Sequence, residues 1–198
     1  MGFQRNPMRV WLSTFVIGVS MAASAAAAGH AKLPGISIEN FGEVNDHYYR
    51  GAQPEGRDYA GLSTLGVKTV IDLTGGSEAD AREAGLVQAT GMKFVRIPMS
   101  THETPAPEAI GQFLKLVNDP ANQPVYVHCQ GGHHRTGVMT AVYRMTDDGW
   151  TADQAYGEMQ QYGFGPAFLH ATLKDFVYNY YSQAHAAIAA TATQTSRQ

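Results

Sequence analysis

The sequence predicts an α/β fold, with a central, mostly parallel sheet of about 4–5 strands flanked by helices in a three-layer-like arrangement. Three observations point there. Apolar runs of strand length alternate along the chain with longer stretches of helical periodicity. Val67–Leu73 (VKTVIDL) is a compact apolar run, the pattern of a buried central strand. Val125–His128 is a second short β-branched and aromatic run, and a glycine-bearing loop and a helix follow it directly.

The elements can be read in order. Lys32–Pro34 is an entry arm. Ile36–Phe41 and Val44–Arg50 alternate around Gly42 as short edge strands do. Pro54 and Glu55 open a short helix to Leu65, and Gly66 closes it. After the Val67–Leu73 strand, Glu78–Thr90 reads as a helix stopped by Gly91. Lys93–Ile97 is the next strand, ended by Pro98. Met99–Pro105 is a polar loop. Pro107 suits a first helical turn, and Ala109, Phe113, Leu116 and Val117 form an apolar stripe behind it. Thr136–Asp148, Ala152–Gln161 and Ala167–Tyr181 complete the helices, and residues 184–198 form a flexible Ala/Thr-rich tail.

Composition bounds the function. With 44% hydrophobic and 16% charged residues, the 198-residue chain is ordinary globular protein. Residues 1–28 have the pattern of a secretory signal peptide: Arg5 and Arg9, an apolar run from Val10 to Ile17, then small residues ending in Ala26-x-Ala28. Its apolar part is short for a bilayer span of about 20 residues, so removal and a secreted, periplasmic product are expected, with no stable membrane association afterwards. Removing 28 of 198 residues leaves 170, enough for one domain, residues 29–183, plus the tail. Lys and Arg number 14 and Asp and Glu 17; Arg5 and Arg9 leave with the leader, so the formal charge becomes −5. An acidic body argues against nucleic-acid partners. Cys129 is the one cysteine, so a secreted chain has no internal disulfide and its free thiol calls for a reason.

The reason lies in Val125-Tyr-Val-His-Cys-Gln-Gly-Gly-His-His-Arg-Thr-Gly137. A loop from a strand into a helix N-terminus can turn its N–H groups inward as an oxyanion nest. Gly131 and Gly132 permit the positive-φ turns that this requires. Arg135 offers two parallel N–H bonds to phosphate oxygens. The same groups stabilise a thiolate at Cys129. Thr136 can donate to the sulfur, and His128 can orient the cysteine. Gln130, Gly131, Gly132, His133, His134 and Arg135 are thus the candidate phosphate-binding residues. A thiolate beneath such a cradle is placed for in-line attack on phosphorus.

His128-Cys129-x5-Arg135-Thr136 resembles the HCx5R(S/T) loop of cysteine-based phosphatases. HCQGGHHRTG is most similar to the loop of the plant-and-fungal atypical dual-specificity phosphatases and their bacterial relatives. Asn40-Phe-Gly-x-Val44, Tyr49-Arg-Gly-Ala-Gln-Pro54, Tyr143-Arg144 and Gly149-Trp150 through Tyr162 resemble flanking segments of that group, so the likeness spans roughly Ile38 to Phe164. It implies a phosphatase domain that uses a phosphocysteine intermediate and no metal or cofactor. The implied substrate is a phosphotyrosine-type protein or an inositol polyphosphate. The family lysine after the glycine is His133 here. Histidine is cationic only below its ordinary pKa of about 6.5, which predicts activity biased to mildly acidic pH.

The general acid is open. The loop where the family carries an Asp contains none; Glu103 is its carboxylate, with His102 beside it. Glu103 is the first choice, His102 the second and Asp72 the third, although Asp72 also reads as a strand-end residue that orders its loop. Arg50 could contact a second anion or form a structural salt bridge. Arg144 is expected to pair with Asp148 at i,i+4 spacing. Met139, Met145 and Trp150 read as core, and Tyr178, Tyr180 and Tyr181 as a packed terminal helix. The cluster His128, Cys129, His133 and His134 suggests a metal site, and Cys-x3-His-His could ligate zinc, but a metal would occupy the thiolate and sit awkwardly beside Arg135. Two further readings stand beside the phosphatase: a rhodanese-like sulfurtransferase and a phosphate-binding pseudo-phosphatase.

Overall fold

The computed structural model describes residues 35–75 and 81–195. The leader (1–28), the entry arm and the start of the expected Glu78 helix lie outside them. Five strands form one sheet: β1 (Gly42–Asn45), β2 (Tyr48–Gly51), β3 (Thr69–Asp72), β4 (Lys93–Arg96) and β5 (Val125–His128). Their order is β1-β2-β5-β3-β4. β1 pairs antiparallel with β2, and all other pairs are parallel, with β5 at the centre.

Alternation along the strands makes two cores. Tyr48, Ile71, Val125 and Val127 face α3 (Pro107–Asn118) and α4 (His134–Thr146), where they meet Phe113, Val117, Met139 and Tyr143. Tyr49, Val70 and Tyr126 face α1 (Asp58–Thr64) and α2 (Glu83–Gln88), meeting Tyr59, Leu62 and Val87. A third core lies behind α4. There Val138, Ala141 and Met145 pack on Ala155 and Met159 of α5 (Ala152–Gln161) and on Leu173 and Val177 of α6 (Ala171–Thr195). Every residue of α4 from Arg135 to Met145 is therefore buried. Its many small residues permit this, and a Cβ on Gly137 would already touch the Met159 side chain at 3.4 Å.

Several boundaries differ from the sequence reading. Ile36–Phe41 is not a strand: Asn40 adopts a left-handed φ of 53°, which ends extended pairing before Gly42. The short helix begins at Asp58, beyond Pro54 and Glu55. The helix expected from Ala167 divides into a 3-10 turn at Ala167–Leu169 and α6, which continues to Thr195. Arg144 forms the expected i,i+4 pair with Asp148 at 2.6 Å. It also meets Glu158 at 2.8 Å and lies over the Trp150 ring at 4.2 Å. Among the described residues, no helix is long and apolar enough to cross a membrane.

Candidate active site

The carboxyl ends of β2, β5 and β3 lie side by side, with His128 in register with both Gly51 and Asp72. Parallel sheets open their sites at this edge. Cys129 follows directly and is only 3% exposed. Residues 130–133 bend away from the sheet, and α4 starts at His134.

The loop is held by its carbonyls. His128 Nδ1 lies 3.3 Å from the Cys129 carbonyl. The Gln53 N–H donates to the Gln130 carbonyl at 3.1 Å. Asn40 Nδ2 donates to the Gly131 carbonyl at 2.9 Å, and an Arg50 guanidinium N–H donates to the Gly132 carbonyl, also at 2.9 Å. In a trans peptide the next residue's N–H points opposite to the carbonyl. Four anchored carbonyls therefore turn the N–H groups of Gln130, Gly131, Gly132 and His133 away from their anchors. None of these N–H groups has a protein acceptor among the described residues. Unpaired, aligned amides running into a helix N-terminus are an oxyanion nest.

Gly132 makes the loop fit. Its φ is 71°, and a Cβ there would fall 2.6 Å from the Gly51 carbonyl carbon. Arg135 and Thr136 occupy the first turn of α4, both buried. The Thr136 hydroxyl departs from expectation: among the described residues its Oγ1 has no hydrogen-bond partner, the Cys129 sulfur included. His133 is wedged inward. Its Nδ1 lies 2.9 Å from the Tyr162 carbonyl and 2.7 Å from the Asn40 amide. His134 turns Nε2 to the Phe164 carbonyl at 3.1 Å and lies tilted against the His170 ring, with ring centres 3.9 Å apart. Both rings thus brace the 162–170 segment rather than gather with Cys129 in a zinc arrangement. The potential metal-ligating group among the described residues is Asp72, Glu83 and His128 instead.

A family model described as "DSP-PTPase phosphatase fused to NAD+ kinase" matches residues 37–174. The chain belongs to this phosphatase family. The dual specificity protein phosphatase TpbA of Pseudomonas aeruginosa is 30% identical over 157 residues, covering 78% of this chain and 70% of that protein. The inositol diphosphatase SIW14 of Saccharomyces cerevisiae is 28% identical over 137 residues, 67% of this chain and 48% of that protein. The crystal structure of the SIW14 core catalytic domain superposes with a TM-score of 0.65 at 25% identity, covering 80% of this chain and 95% of that one. A cysteine-to-serine variant of TpbA, in complex with pTyr, superposes with a TM-score of 0.63 at 28% identity, covering 78% of this chain and 90% of that one.

In this phosphatase the acid candidates separate. Asp72 is fully buried and committed: its carboxylate accepts from the Thr74 N–H at 2.7 Å, the Thr74 hydroxyl at 2.9 Å and Arg96 at 2.6 Å. It orders the strand end, as the plainer sequence reading held. Glu103 and His102 are exposed, and neither side chain has a hydrogen bond or ion pair among the described residues.

Arg50 fits neither alternative read from sequence. It is fully buried, with its guanidinium 3.9 Å from the centre of the Tyr162 ring. Among the described residues it has no ion pair, and Nε and one terminal nitrogen lack hydrogen-bond partners. Burial pulls its pKa down, while Glu158 and Cys129 are among the groups that push it up. Its guanidinium holds the loop and places a cation under it. Burial first, then Cys129, drives the Tyr126 hydroxyl well above its ordinary value. Asn40 and Gln53 also emerge as loop anchors. Both lie in the segments that carry the family likeness, so that likeness was their signal in the sequence. Glu83 had none.

Proposed function

We propose that this phosphatase hydrolyses phosphate esters or anhydrides through a phosphocysteine. The carbonyl-anchored loop at residues 129–132 carries the reading: its four unpaired N–H groups, with Arg135, bind three phosphate oxygens. Cys129 Sγ attacks phosphorus in line, the S–P bond forms and the bond to the leaving oxygen breaks. Glu103 supplies the leaving oxygen with its proton, His102 being the alternate. Water then gives a proton to the Glu103 carboxylate and attacks phosphorus, the S–P bond breaks, and inorganic phosphate departs with the thiolate and the protonated acid restored. The donors need no reorganisation, which is where most of the rate enhancement arises. The cycle uses no metal or cofactor.

A phosphotyrosine-type protein substrate is favoured over an inositol polyphosphate by one feature. A cavity of about 650 Å³ opens beside Gln130 and Gln53, and its charged lining is Glu39, Glu55, Asp58 and Arg57. Three carboxylates against one guanidinium repel a densely anionic ligand. The leader pattern of residues 1–28 supports secretion to the periplasm.

The test is turnover of an aryl phosphate, a phosphotyrosine peptide and a diphosphoinositol phosphate by the mature protein, with Cys129→Ser as control. The expected result is hydrolysis of the first two, lost in Cys129→Ser while phosphate still binds. Thiosulfate:cyanide transfer would establish the sulfurtransferase instead, and phosphate binding without turnover the pseudo-phosphatase.

A further inference from the structure

Glu83 is a fully buried carboxylate on the first turn of α2, separated from the loop in sequence. Burying a charge costs several kcal/mol unless partners repay it. Among the described residues its partners are three. Gln53 Nε2 donates to Oε2 at 3.2 Å, the Tyr59 hydroxyl donates to Oε1 at 3.3 Å, and His128 Nε2 lies 3.1 Å from Oε1. The histidine contact is out of line for a hydrogen bond and is an electrostatic one.

Two of these partners lead into the phosphate loop. His128 presents its other nitrogen, Nδ1, to the Cys129 carbonyl, and its ring is fixed by stacking on Tyr126 at 5.7 Å between centres. Oxygens thus face both ring nitrogens, the Cys129 carbonyl at Nδ1 and the Glu83 carboxylate at Nε2. Gln53 carries the second route: its side chain holds Glu83 while its backbone N–H holds the Gln130 carbonyl. Tyr59 belongs to α1, away from the loop. Asp72, the other buried carboxylate near His128, stands 4.0 Å off and is committed to Thr74 and Arg96.

We propose that Glu83 is a positioning residue for the reaction: its buried charge holds His128 and Gln53, and through them aims the N–H groups of Gln130 and Gly131 at the substrate phosphate. This rests on the phosphocysteine reading above and adds a residue that touches neither substrate nor sulfur. One carboxylate then sets the first two peptides of the nest, so losing its charge loosens the cradle without opening the core.

The test compares Glu83→Gln, Gln53→Leu and Tyr59→Phe with the parent protein. Three quantities are measured: kcat on p-nitrophenyl phosphate, thermal midpoint, and the ratio of Cys129 alkylation rates by iodoacetate and iodoacetamide. An intact anion cradle draws the anionic reagent preferentially, so this ratio reports the nest rather than the fold. Glu83→Gln should lower kcat more than tenfold and the ratio at least threefold. Gln53→Leu should lower both by less, and Tyr59→Phe should stay within twofold. An unchanged ratio and kcat in Glu83→Gln overturns the proposal, and so does an equal loss in Tyr59→Phe, which would make Glu83 a structural anchor only. Should Glu83→Gln not fold, an unchanged ratio in Gln53→Leu overturns it. Failure of the underlying reading looks different: Cys129→Ser would keep its turnover.

Discussion

The Arg50 guanidinium donates to the Gly132 carbonyl at 2.9 Å from a fully buried position, with no carboxylate among the described residues paired with it. The chain bears the cost of an interior cation met by a carbonyl and the face of the Tyr162 ring. Function is the reason such a cost is retained. Arg50→Met should therefore leave the thermal midpoint unchanged or higher, yet lower kcat on an aryl phosphate by at least about tenfold, one hydrogen-bond donor's worth of transition-state positioning. Calorimetry and steady-state kinetics on the same preparation check both halves.

Gly132 and Gly111 should answer oppositely to alanine. At Gly132, the left-handed φ and the approach to Gly51 make any Cβ a backbone clash. Gly132→Ala should cost at least about 2 kcal/mol and abolish turnover. Gly111 sits exposed on α3 with nothing within 4 Å. Gly111→Ala should stabilise by about 0.5–1 kcal/mol at unchanged kcat. Urea midpoints measure both.

Leaving-group chemistry identifies the acid. With Glu103 as proton donor, Glu103→Gln should lower kcat on an alkyl phosphate about 100-fold and hardly alter that on p-nitrophenyl phosphate, whose leaving group needs no proton. If His102→Gln shows this pattern and Glu103→Gln does not, the assignment passes to His102.

Stability should fall on mild acidification. Burial, then the neighbouring His170, holds His134 below the ordinary histidine value. The unfolded chain therefore takes up this proton first. The contribution of His134 is complete above about pH 6.5 and is lost progressively as pH falls from there to its lowered folded value. The thermal midpoint should drop below about pH 6.5, and His134→Gln should flatten that drop.

Arg144→Met should be among the most damaging core changes. It leaves Glu158, 4% exposed, without its cation. Breaking a buried pair from one side costs about 3–5 kcal/mol. Denaturant midpoints test this, and the double variant Arg144→Met/Glu158→Met should recover much of the loss.

The family, the α/β class and the order of most elements could be read from residues alone. So could the course of the Cys129 loop, because His128 through Thr136 are consecutive and a strand-to-helix turn with two glycines has few conformations. Alternation in Val125–His128 and Thr69–Asp72 encodes which faces are covered, since side-chain period is a local property. How the loop is held was legible only as the family likeness around Asn40 and Gln53. Asn40, Arg50 and Gln53 reach it from a turn, a strand and a strand end, Glu83 on a distant helix meets His128 and Gln53, and no spacing rule links any of them to Cys129. Only packing decided that Asp72 is spent on Thr74 and Arg96, that His133 turns to Tyr162, and that Arg50 is sealed with no counter-ion among the described residues. Those outcomes depend on which groups three-dimensional contact removes from water, a quantity that no single stretch of sequence contains.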